Sequence, residues 1–184
     1  HLSKQHPMAI IFSGIDPRTP AEIVFDLGLG DVYNIRMAGN VVGPNVIGGM
    51  EYACAIGGAK LILILGHTQS GLIRLAIDRV DDLSLTTPWG PCTHLKFIVD
   101  QLAESIEVAT DDSGSSGPGL EQIARAHVIR GVKRVVEQSR VIQTLVAEGR
   151  VAVVGAIFDV STGEVEFLLD EAVGHLALHD SQRA

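Results

Sequence analysis

Apolar residues fall in two rhythms along this chain. Met8 to Phe12, Ala59 to Leu65 and Val151 to Phe158 are short, nearly continuous apolar runs. Such runs fit strands buried on both faces better than amphipathic helices. Gly66 closes the second run, and Asp31 to Ile35 is a weaker extended stretch. Between them the apolar spacing turns helical. Pro20 followed by Ala-Glu-Ile-Val-Phe predicts a short helix that Gly28 and Gly30 break, and residues 46 to 57 carry another helical pattern. Ser70 is placed to cap a helix running to roughly Asp78, its hydroxyl accepting from backbone N–H groups of the first turn. Two longer helical patterns cover about His94 to Val108 and about Leu120 to Ala147. The polar stretch Thr110 to Gly119 between them predicts a mobile loop, and residues 81 to 92, with Pro88 and Pro91, predict another. Ser161-Thr162-Gly163 is a turn into a further strand over Val165 to Leu169. Strands alternating with helices predict an α/β domain with a central, mostly parallel sheet flanked by helices. There is no internal repeat and no coiled-coil heptad.

Composition narrows this picture. A chain of 184 residues, 46% hydrophobic, builds one domain with a sizeable core, so residues 1–184 are expected to form a single unit. Its 22 acidic against 14 basic side chains give a net charge of -8, which argues against nucleic acid and anionic membrane surfaces as partners. No apolar run reaches the roughly 18 to 20 residues of a membrane-spanning helix, so direct membrane insertion of this segment is not expected. Cys54 and Cys92 are too few for a disulfide framework or a four-cysteine zinc module, and point to a reducing, cytoplasmic setting. The chain starts without methionine and almost at its first strand, which suggests a domain excised from a longer protein.

Four stretches carry more specific information. Phe12-Ser13-Gly14-Ile15-Asp16-Pro17-Arg18-Thr19-Pro20 follows the first strand. Glu22 leads through Gly28-Leu29-Gly30-Asp31 to Arg36-Met37-Ala38-Gly39-Asn40. Glu51-Tyr52-Ala53 precedes Lys60 to Leu65 and Gly66-His67-Thr68-Gln69-Ser70-Gly71, and Val151 to Gly163 closes the series. Together they resemble the β-class carbonic anhydrases over most of residues 5 to 170. In that family the first stretch is Cys-x-Asp-x-Arg and the third ends in His-x-x-Cys-Gly. Gly14 and Ser70 stand at the two cysteine positions.

The resemblance implies a zinc site made of two thiolates and His67, with Asp16 and Arg18 as the catalytic dyad. Catalytic zinc needs several convergent ligands and an open position. Glycine has no side chain to offer, and a neutral serine hydroxyl is a poor substitute for a thiolate. His67 is then the remnant of the metal site, and no cofactor is expected. Leu72 after Gly71, and Gly49 where a serine often stands, are further departures.

The leading expectation is therefore a carbonic-anhydrase-like domain that has lost zinc-dependent CO2 hydration. It would act as a dimerising, regulatory or anion-binding module, with bicarbonate or a similar anion held by Arg18, His67, Ser70 and Gly71 at a helix N-terminus. The competing expectation is an active carbonate dehydratase with zinc on Asp16, His67 and a recruited ligand such as Cys92. The resemblance implies a homodimer, and it extends to the domains fused behind sulfate-permease-type anion transporters, which would make this a cytosolic transporter domain. Arg36 matches an arginine of a regulatory bicarbonate pocket, but Ile11 replaces its aromatic partner, so that regulation is not expected. A serine hydrolase using Asp16, His67 and Ser70 is a different class of reading. Gly66-His67-Thr68-Gln69-Ser70-Gly71 lacks the glycine two before serine that makes a nucleophile elbow.

Overall fold

Strands that are apolar on both sides need cover on both, and here the two covers differ in thickness. The computed structural model describes residues 7–81, 92–113 and 117–175. Strands β1 (Ala9–Ser13), β2 (Val32–Arg36), β3 (Leu61–His67), β4 (Ala152–Phe158) and β5 (Val165–Val173) form one sheet in the order β2-β1-β3-β4-β5. The first four run parallel and β5 pairs antiparallel with β4. Successive side chains point to opposite faces. Ile10, Phe12, Ile62, Ile64 and Val153 therefore enter the larger core, while Ile11, Leu63, Leu65 and Ala156 enter a smaller one.

The helices are α1 (Ala21–Val24), α2 (Pro44–Glu51), α3 (Gly71–Asp81), α4 (Leu95–Ser113), α5 (Leu120–Gln138) and α6 (Arg140–Ala147). Helices α2 to α6 supply the larger core, with Val99, Leu102, Ile106 and Ala109 giving α4 its buried stripe at helical spacing. Among the described residues the smaller core is covered by α1 and the segment through Leu27. Helix α2 starts at Pro44, whose missing N–H costs nothing in a first turn. It continues into one wider π-turn, Tyr52–Ile56, closed by Gly57 N–H donating to Tyr52 O at 2.9 Å. Cys54 is buried there, and burial pushes its thiol up to about 11.

Three elements differ from their sequence patterns. The long pattern over 120–147 is two helices, because Ser139 leaves helical geometry at φ -119° and ψ 109°. Its hydroxyl accepts from Ile142 N–H at 3.1 Å and donates to Glu51 Oε1 at 2.6 Å, tying α6 to α2. Apolar spacing runs through the break and hides it. Helix α4 extends through Ser113, so Thr110–Ser113 are helical rather than loop; residues 114–116 lie outside the described residues, as does most of the expected loop at 81–92. Strand β5 continues to Val173, past Leu169.

Helix α5 approaches the sheet closely because two strands present glycine beneath it. A Cβ on Gly155 would lie 2.7 Å from Val128 Cγ1, and one on Gly66 would lie 2.5 Å from Val128 Cγ2. Val128 is buried and β-branched, so it has little freedom to yield. Among the described residues no helix is long and apolar enough to cross a membrane. Gly155→Ala is expected to destabilise the fold by about 1–3 kcal/mol through overpacking, measured as a lower urea midpoint with an unchanged slope.

Candidate functional site

Parallel strands deliver their carboxyl ends to one edge of the sheet, where open α/β folds hold their ligands. Ser13 of β1 pairs with Leu65 of β3, so the chain leaves β1 through Gly14 beside the end of β3 at His67. The loop after β1 is fastened from three sides. Asp16 Oδ1 accepts from Arg18 N–H and Nε, both at 2.9 Å, and Asp16 Oδ2 accepts from Arg18 Nη2 at 2.7 Å. Arg36, from the end of β2, donates Nε to Gly14 O at 3.1 Å and Nη2 to Asp16 O at 2.5 Å. The Thr19 hydroxyl donates to Asp16 O at 3.1 Å.

His67 is oriented by its own turn. Nδ1 lies 2.8 Å from Thr68 O. A carbonyl can only accept, so Nδ1 carries the hydrogen and the neutral ring keeps its lone pair on Nε2. That atom sits 3.7 Å from where a Cβ on Gly14 would stand and 4.0 Å from Asp16 Oδ2. It has no hydrogen-bond partner among the described residues. The Ser70 hydroxyl accepts from Ile73 N–H at 3.4 Å and so caps α3, as its sequence position predicts. Thr68 and Gln69 hold this turn to the β4–β5 hairpin, Thr68 accepting from Val160 N–H at 3.1 Å and Gln69 Nε2 donating to Ser161 Oγ at 2.8 Å.

Gly14, Asp16, His67, Ser70 and Gly71 all line one cavity of about 310 Å³. Its remaining wall is mostly apolar, including Leu65, Leu72, Ile73, Leu95 and Val128. Arg18 does not line it. Its guanidinium, with a side chain 47% exposed, donates Nε and Nη2 to Asp16 and Nη2 also to Gln69 O at 3.4 Å. The four residues expected to hold an anion are thus divided, with His67, Ser70 and Gly71 together and Arg18 behind the carboxylate. Among the described residues no group of three or more His, Cys, Asp or Glu side chains is placed to share a metal ion. Cys92 is exposed and does not line the cavity, and both cysteines are free thiols.

Two further contributors are not singled out as site residues by the sequence reading. Asn40, at the end of the Ala38–Asn40 turn, lines the cavity in a left-handed conformation, φ +53°, and gives Nδ2 to Leu65 O at 3.2 Å. His127 of α5 lines it too, with Nε2 2.8 Å from Gly39 O and 3.2 Å from Asn40 O. Those two carbonyls require Nε2–H, so Nδ1 accepts from the Ser105 hydroxyl at 2.9 Å. His127 falls at a core position of a helical pattern, which is why periodicity makes it look like filling. The Ala-Gly-Asn sequence, with glycine and asparagine both tolerant of positive φ, is the signal for the turn beneath it.

Burial pushes the His127 pKa down, against the two backbone carbonyls that favour its proton. Hydrogen bonds from Arg18 hold Asp16 down to about 2 from the usual 3.8, against the opposing effect of burial.

A family model described as carbonic anhydrase matches residues 9–165. Carbonic anhydrase 2 of Mycobacterium tuberculosis is 31% identical over 172 residues, spanning 94% of this chain and 78% of the relative. The carbonic anhydrase of Mycolicibacterium smegmatis is 31% identical over 162 residues, 88% and 75% of the two chains. The fold is that of the β-carbonic anhydrases. A Sordaria macrospora β-carbonic anhydrase superposes with TM-score 0.74 at 24% identity, over 89% of this chain and 81% of that one. A Coccomyxa β-carbonic anhydrase solved with acetazolamide gives TM-score 0.74 at 23% identity, over 89% and 72%.

Both shifted groups predict acid sensitivity of the fold. Above pH about 6.5 His127 is neutral folded or unfolded; below it the unfolded chain takes up the proton first, so stability falls with pH. For Asp16 stability is present above the unfolded value of 3.8 and is lost as pH falls through about 2. Urea midpoints measured against pH should lose the upper decline in His127→Gln and the lower one in Asp16→Asn.

Proposed function

The chain belongs to the β-carbonic anhydrase family, and from that premise we propose that it is a carbonic-anhydrase-fold binding or regulatory module without a catalytic zinc centre. The observation that supports this most is at Gly14. The position where its side chain would begin lies 3.7 Å from His67 Nε2, so a ligand side chain is missing beside the imidazole nitrogen. Ser70, the other position matched to a family cysteine, uses its hydroxyl as a helix cap. What remains is one imidazole and one carboxylate already paired with Arg18 through two of its side-chain nitrogens. That donor set does not fit a catalytic zinc site, which takes three protein ligands and an open position.

The homodimer and the attachment to an anion transporter, both implied by the family resemblance, belong to this reading. The site does not favour bicarbonate as the ligand, since Arg18 is hydrogen-bonded to Asp16 and stands off the cavity wall. The second reading is an active carbonate dehydratase. It draws on the names of the relatives and on the 4.0 Å between His67 Nε2 and Asp16 Oδ2, and requires a third ligand that the described residues do not bring there.

Protein purified without chelators should carry far less than one zinc per chain and show no CO2 hydration above buffer in a rapid-mixing assay. Gly14→Cys combined with Ser70→Cys should bind close to one zinc per chain, because it completes a three-ligand set with His67. Stoichiometric zinc with clear turnover in the unaltered protein would overturn the proposal.

A further inference from the structure

The cavity left beside Gly14 has a definite chemical character. At about 310 Å³ it lies at the small end of ligand-binding pockets, which are mostly apolar with a few well-placed polar groups. Its apolar lining includes Leu65, Leu72, Ile73, Leu95 and Val128. Two acceptors stand together at its polar end. One is the His67 Nε2 lone pair, on a side chain only 10% exposed and without a hydrogen-bond partner among the described residues. The other is Asp16 Oδ2, at 4.0 Å from it. Among the described residues no guanidinium or ammonium lines the cavity to offset an incoming negative charge.

We propose that this cavity binds a small, neutral, largely apolar molecule bearing an amino group that donates to His67 Nε2 and Asp16 Oδ2 together. A nitrogen placed about 2.9 Å from each acceptor, an ordinary hydrogen-bond length, bridges the 4.0 Å gap with an angle near a right angle between its two N–H directions. A hydroxyl has one hydrogen and satisfies one acceptor. An anion brings charge into an apolar chamber beside an ionised carboxylate and finds there the Ser70 hydroxyl and the first-turn N–H groups of α3. Losing its hydration there costs more than a helix end returns. The apolar remainder of the ligand meets the leucine, isoleucine and valine walls.

The inference rests on the zinc-free reading of the same site, so zinc content is measured on the same samples. Isosteric probes separate the possibilities: aniline carries the neutral amino group, toluene lacks any donor, and benzoate carries an anion on the same ring. Binding to the full chain is followed by calorimetry and by the His67 ring resonances. Aniline should bind at least tenfold more tightly than toluene and benzoate, and should shift the His67 signals. His67→Leu should shrink the advantage of aniline over toluene, because of the two acceptors only Asp16 Oδ2 remains. Benzoate matching or exceeding aniline would overturn the inference and favour an anion site. Aniline no better than toluene, or no binding of any probe, would overturn it as well. In zinc-free protein those failures leave the zinc-free reading standing, whereas stoichiometric zinc in the same preparation sinks both.

Discussion

Parallel pairing of β1 with β3 sets the position of every group at the cavity. Because Ser13 lies beside Leu65, the chain leaves both strands at the same edge, and Gly14 meets His67 without any long-range adjustment. Arg36 at the end of the neighbouring β2 then reaches back to the carbonyls of Gly14 and Asp16. Asp16 can face the chamber only because its backbone is held by Arg36 while its carboxylate is held by Arg18. The sheet supplies the coarse placement, and two guanidinium groups fix the loop that the sheet leaves free.

The strands were legible because each is an apolar run that must be buried on both faces, and such a run has few other uses in a chain of this length. The Ser70 cap was legible for a local reason, a hydroxyl at the entry to a helical pattern. What periodicity could not carry was any feature made by partners distant in sequence. Ser139 breaks a helix by joining Glu51, and His127 earns its orientation from Gly39, Asn40 and Ser105. In the cavity, the sequence identified His67, Ser70, Gly71 and Asp16 as neighbours through the family motif. It grouped Arg18 with them, since spacing of two from Asp16 says nothing about which side of the carboxylate the guanidinium takes.

The chemistry of the site follows from what surrounds a histidine rather than from the histidine alone. With Thr68 O fixing the hydrogen on Nδ1, the other nitrogen is an acceptor whose use depends on the opposite wall. A thiolate at position 14 would make that wall a metal ligand. Glycine makes it open space, contiguous with a chamber whose shape is set by α3, α4 and α5 packing over the same strands.

The two covers of the sheet have unequal reach. On one side five helices lie over β1, β3 and β4; on the other, a four-residue helix and the segment behind it shield Ile11, Leu63 and Leu65. Opening that thin cover breaks few contacts, so solvent exchange into the strand amides can proceed there by local fluctuation while the thick side stays closed. The covering segment, Ala21 to Leu27, contributes nothing to the lining of the chamber, so such a fluctuation would wet the strands without opening the cavity, whose own loop stays pinned through Asp16 by Arg18, Thr19 and Arg36.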